Sequence, residues 1–181
     1  MTSRARAVTA LAFLVAATPA WSQSTPDAEH DPIVWLKTYL GGAACVVYQA
    51  GPSPFRLEQI TENTEVQFDG CRMVLQQASL ISGRSELHTF QIPLAALAAN
   101  AVTSRPGFVL PDGWVSRGDV PTHTITIAGP AGHPFDERVE PFDGTPPRDD
   151  RTEAVTIPVR HEENASQIVL ALTRAIELCR R

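Results

Sequence analysis

Whatever chemistry this 181-residue chain performs must come from five histidines, one lysine, three cysteines, scattered serines and one dense acidic stretch. The histidines, His30, His88, His123, His133 and His161, are dispersed, with neither the HxH nor the HExxH spacing that announces a zinc site locally. Only His88 and His123 fall on expected strands, where a fold could aim them into a shared site. Ser53 in "GPSPF" lacks the second glycine of a nucleophile elbow and is followed by proline instead of a helix. Lys37 is the sole lysine and has no serine three residues before it, so a Ser-x-x-Lys site does not arise. The acidic stretch offers Asp136, Glu137, Glu140, Asp143, Asp149 and Asp150 as oxygen ligands, but in no EF-hand spacing and with prolines interrupting it. No catalytic, cofactor-binding or metal-ligating set is therefore expected, and no cofactor.

The cysteines carry more information. Residues 1–22 have a basic start at Arg4 and Arg6, an uncharged apolar run over 7–17, and small residues at cleavage spacing after Ala20 or Ser22. This layout predicts a cleaved signal peptide. The apolar run is shorter than the roughly 20 residues needed to cross a bilayer, so no stable membrane anchor is expected after cleavage. Export leads to an oxidising compartment, periplasmic or extracellular, where cysteines within reach of one another pair. Cys45, Cys71 and Cys179 allow one bond and leave one thiol.

The whole chain has 15 basic and 20 acidic residues, a net charge of −5. Loss of Arg4 and Arg6 with the signal leaves 13 against 20, a net of −7. So acidic a surface argues against nucleic acid as a partner.

The elements that must position these residues follow from pattern. Residues 23–30 read as a short mobile lead, and 31–181 as a single globular domain. Asp31-Pro32 opens a short helix closed near Gly41, and "ACVVYQ" reads as a strand. Asp69-Gly70 lies between two alternating runs, the dipeptide of a two-residue hairpin turn. That turn would pair Phe68 with Cys71 and Val66 with Met73, and would send Cys71 into the core. "LHTFQIPL", "HTITIAG" and "AVTIPVR" supply further strands, the last an edge strand because Pro158 donates no ladder hydrogen bond. Residues 129–153, rich in Pro, Gly and acid, read as a long exposed loop. The C-terminal segment is an amphipathic helix, with Asn164 and Gln167 as a capping pair. Its stripe is Ala165, Ile168, Leu172, Ala175, Ile176 and Cys179. The helix and the hairpin thus present Cys179 and Cys71 to one core. A Cys71–Cys179 disulfide is the expectation, and Cys45–Cys179 the rival.

The expected fold is α+β: an antiparallel sheet or half-open β-barrel of five to seven strands, closed by the C-terminal helix. In the order of its elements alone this layout resembles pleckstrin-homology-like barrels. It carries no phosphoinositide expectation, because the basic loop cluster for such a ligand is missing. The functional expectation is an exported, non-enzymatic envelope protein that binds a protein partner or a small ligand. The alternative is a small secreted hydrolase whose site the fold assembles.

Overall fold

The computed structural model describes residues 27–40, 44–50, 56–81, 84–107, 123–159 and 161–181, with side chains except at 44–50, 56–64 and 81. The expected signal segment 1–22 and the first residues of the lead lie outside the described residues.

The chain runs through α1 (Pro32–Tyr39), β1 (Ala44–Ala50), β2 (Arg56–Asp69), β3 (Arg72–Ile81), β4 (Arg84–Pro93), a 3₁₀ turn (Leu94–Ala96) and β5 (Val102–Pro106). It continues through β6 (His123–Ala128), β7 (Phe135–Pro141), β8 (Arg148–Thr152), β9 (Ala154–Val159) and α2 (Glu162–Cys179). Two antiparallel sheets result, in the orders β1-β2-β3-β4-β7-β8 and β5-β6-β9. They do not close into a barrel. The fold is α+β, with the C-terminal helix packed on sheets. Among the described residues no helix is long and apolar enough to cross a membrane.

The core forms where both sheets turn apolar alternation toward the helices. Met73, Leu75 and Ile92 from the larger sheet, Ile125, Ile127 and Ile157 from the smaller, Leu36 and Leu40 from the α1 segment and Leu172 from α2 are all fully buried. On α2 the buried residues are Ala165, Ile168, Ala171, Leu172, Ala175 and Ile176, with Cys179 partly buried at the end of the stripe. Burial at every third or fourth position makes that face apolar. Glu162 and Glu163 occupy its first turn, where the helix dipole favours anions. Asn164 lies inside the helix, because the N-cap is His161. Pro158 sits on β9, at the edge of its sheet, where a missing N–H is tolerated.

Other expectations need correction. The stretch 129–153 is no loop: it contains β7 and β8, a hairpin whose Asp136↔Arg151 and Arg138↔Asp149 pairs put opposite charges across the ladder. Phe135 and Val139 supply its buried side chains. Apolar periodicity overlooks such a hairpin, because cross-strand charge pairs do part of the work that apolar pairs do elsewhere. With it the larger sheet has six strands, within the five to seven expected, and a second sheet of three accompanies it. Residues 27–30 of the lead form a turn: Ala28 is buried and the Glu29 N–H donates to Asp27 Oδ1 at 2.7 Å.

The β2–β3 turn is shifted by one residue. Asp69 pairs with Arg72 and Phe68 with Met73, so Gly70 and Cys71 form the turn, with Gly70 at φ 56°. Glycine bears that left-handed angle without the Cβ clash that penalises other residues. Cys71 is consequently exposed at the rim and does not point into the core. There it joins Cys179, with Cα atoms 5.5 Å apart and 108 residues between them in sequence. The bond pins the last turn of α2 to the β2–β3 turn, and it is compatible with an oxidising, exported location. Cys45 lies on β1, and its side chain is outside the described set.

Candidate functional site

The core-facing side of the larger sheet changes character along its length. Near the disulfide it is apolar: Met73 pairs with Ile92, and Leu75 with Phe90. Two residues on, alternation keeps the same face but the side chains turn polar, with Gln77 opposite His88 and Ser79 opposite Glu86. On β7, Val139 lies opposite His88 and Glu137 opposite Phe90. Glu137 thus reaches His88 along one diagonal, and Ser79 reaches it along the other.

The distances define a relay across three strands. His88 Nδ1 lies 2.7 Å from Glu137 Oε1, and His88 Nε2 lies 3.0 Å from Ser79 Oγ. A carboxylate can only accept a hydrogen bond, so Nδ1 carries the proton. In the neutral ring Nε2 is then the acceptor, and the Ser79 hydroxyl donates to it. The His88 ring stacks beside Phe90, with centroids 6.2 Å apart and planes 12° apart, which fixes its orientation. The His88 and Glu137 side chains are 21% and 15% exposed, covered enough to be ordered yet open to a ligand.

Charged neighbours complete the patch. Glu86 Oε2 stands 3.6 Å from His88 Nε2, beyond hydrogen-bond reach. Arg148 Nη1 donates to Glu86 Oε1 at 3.1 Å, and its Nε lies 3.4 Å from Asp150 Oδ2. The hydrogen bond from Arg148 holds the Glu86 carboxyl below its ordinary range, aided by the charges of Arg148, His88 and Arg84. The same bond raises Arg148. Glu137 faces Asp150 directly across the β7–β8 ladder, a like-charge pair offset by His88 on one member and Arg148 on the other. An open depression of about 730 Å³ lined by Gln91, Asp136, Arg138, Asp149 and Arg151 lies on the opposite face of the sheet from His88, and Glu137 and Asp150 border it only from behind. Deeper in, Gln77 is 6% exposed and its amide donates to the Thr156 carbonyl on β9 at 3.0 Å, tying the two sheets together beneath the patch.

The other residues singled out from sequence go elsewhere. His123 begins β6 on the smaller sheet, opposite Pro106 and Val159. His30 contacts Asp27, His133 lies in an exposed turn and His161 caps α2. The acidic residues of 136–150 are drawn into pairs, Glu140 with Arg138 and Asp143 with Thr145, whose side-chain hydroxyl and then N–H lower the Asp143 carboxyl. Among the described residues no three His, Cys, Asp or Glu side chains converge as metal ligands. At the patch the reason is geometric: Glu137 and Glu86 approach opposite nitrogens of the His88 ring.

Sequence reasoning reached His88 but missed Ser79 and Glu137 as its partners. The available signal was Ser82-Gly83 between two alternating runs, a two-residue turn dipeptide. Its register, Ile81 opposite Arg84, sets Ser79 diagonal to His88.

The chain matches no family model, no curated protein and no solved structure.

Proposed function

We propose that this chain is an exported envelope protein, periplasmic or extracellular, that acts by binding, with the polar end of the larger sheet's inner face as its ligand site. The observation that carries this reading is the abrupt change along β3 and β4 from buried apolar pairs to the partly exposed cluster of Ser79, Glu86, His88 and Glu137. Packing alone gives no reason for ionisable groups on a core-facing surface, where desolvation opposes them.

The charge pattern supports a ligand class. Glu86, Glu137 and Asp150 are three carboxylates set against Arg148 and against Arg84, whose charge also reaches Glu86, leaving one negative charge when His88 is neutral. Such a patch favours a small cationic ligand, an amine or quaternary ammonium, or a basic side chain of a protein partner. The acidic balance of the whole chain acts in the same direction.

Amide and imidazole NMR shifts of the mature protein, recorded against a panel of small amines, sugars and carboxylates, test the proposal. Amines should move resonances of residues 77–79, 86–88 and 137–139, and carboxylates should not. No response to any amine, or a response confined to another surface, overturns it.

A further inference from the structure

Binding does not require the order Ser79, His88, Glu137. A hydroxyl donating to Nε2 of a histidine whose Nδ1–H is held by a carboxylate is the arrangement that activates a serine for attack. We propose that Ser79 is a nucleophile toward carboxylic esters, with His88 its general base and Glu137 the residue that positions the imidazole. This inference rests on the patch being a ligand site and adds a reaction to it.

The contacts at 3.0 Å and 2.7 Å lie within the range such a relay requires. Ser79 Oγ attacks the acyl carbon while its proton passes to His88 Nε2. The ester C–O bond breaks, and the alcohol leaves with that proton. Water then attacks the acyl group, His88 takes the water's proton and returns it to Ser79 Oγ, and the carboxylic acid departs. Ester and water give acid and alcohol, with no other reactant. Glu137 stays ionised throughout and stabilises the imidazolium that forms between the two proton transfers.

Two features of the surroundings set the scope. Glu86 and Asp150 flank the relay, so neutral esters and esters of amino alcohols are favoured over anionic ones. Ser79 is a mid-strand residue paired with Thr61 on one side and Glu86 on the other, so backbone N–H groups around it serve the ladders. An oxyanion hole of the elbow type is not built there, and loss of even one such donor costs on the order of 10²- to 10³-fold. Ser79 should therefore react faster than other serines yet turn over slowly, because the missing donor slows acylation and deacylation alike.

Among the described residues the groups facing His88 are Gln77 and Ser79 of β3, Glu86 and Phe90 of β4, Glu137 and Val139 of β7 and, through Glu86, Arg148 of β8. Reaction should fade at acid pH, because a protonated Nε2 accepts nothing from Ser79.

The test treats the mature protein with a neutral fluorophosphonate and locates adducts by peptide mapping. A single adduct on Ser79 is expected, absent from Ser79→Ala and unchanged in Ser104→Ala, a control on exposed β5. His88→Gln should slow labelling by about 100-fold or more, the lower end of what a general base contributes. Glu137→Gln should slow it by about tenfold or more and shift its pH profile, with partial rescue by Glu137→Asp. Acetylthiocholine should be hydrolysed slowly and only with Ser79 and His88 present, and an anionic hemisuccinate ester more slowly still. No adduct, adducts spread evenly over surface serines, or labelling indifferent to His88→Gln in a variant with native circular dichroism overturns the inference. Amine-induced shifts at the patch without a Ser79 adduct overturn it while sparing the binding site. A Ser79 adduct without such shifts does the reverse.

Discussion

At the residue scale, the determining choice is which polar side chains the sheet places beyond the end of its apolar rows. Glu86 shows how strongly the patch is coupled to its neighbours, since Arg148 depresses its carboxyl pKa. A carboxyl depressed in the folded state adds stability that is present above its unfolded pKa and disappears as pH falls through the folded value. Arg148→Gln should therefore lower stability at neutral pH and leave it unchanged once Glu86 is protonated, so the urea midpoints of variant and parent converge in acid. Equal differences at both pH values would show that Arg148 acts through packing. The effect should be small, because Arg148 is half exposed. The apolar rows contrast with this. Met73 is fully buried opposite Ile92, and Met73→Ala should cost about 2 to 5 kcal/mol in chemical denaturation, the range for removing a large core side chain.

At the element scale, what could be read from sequence depended on whether apolar side chains or charges held an element. α1, β4, β6, β9 and α2 follow from apolar spacing and lie where it puts them. The Asp-Gly dipeptide marked the β2–β3 hairpin, but the turn formed one residue later, since one glycine serves either register and Phe68 opposite Met73 keeps the same inward face. The β7–β8 hairpin was illegible because its Asp136–Arg151 and Arg138–Asp149 pairs look like a solvated charge run. That hairpin delivers Glu137 to His88, so the candidate site was hidden along with it. β7 is paired on both sides, by β4 and β8, whereas β8 is an edge strand. Hydrogen exchange should find the amides of 135–141 protected and those of β8 on its open side exchanging sooner. Equal, rapid exchange over 135–152 would return the segment to the loop its composition suggests.

At the scale of the whole molecule, the helix that completes the core is the last element of the chain, and one covalent bond fixes its end. α2 packs on α1, on the 3₁₀ turn and on β5, β6 and β9, while Cys71–Cys179 ties its final residue to the larger sheet. Cys179→Ser should lower stability by roughly 2 to 5 kcal/mol and fray the last turn, visible as lost amide protection near Ile176. The bond is compatible with an oxidising, exported location, since a reducing compartment would keep both thiols free. The sequence pointed to this pair of cysteines through the hairpin and the helical stripe, although Cys71 lies at the rim and not in the core. The most direct measurement is non-reducing peptide mapping, after alkylation, of the native protein recovered from its cell envelope and medium. The expected result is a Cys71 peptide linked to the Cys179 peptide in a chain beginning at Trp21 or Gln23. Three alkylated thiols in a chain that keeps residues 1–20, or Cys45 linked to either partner, would contradict it.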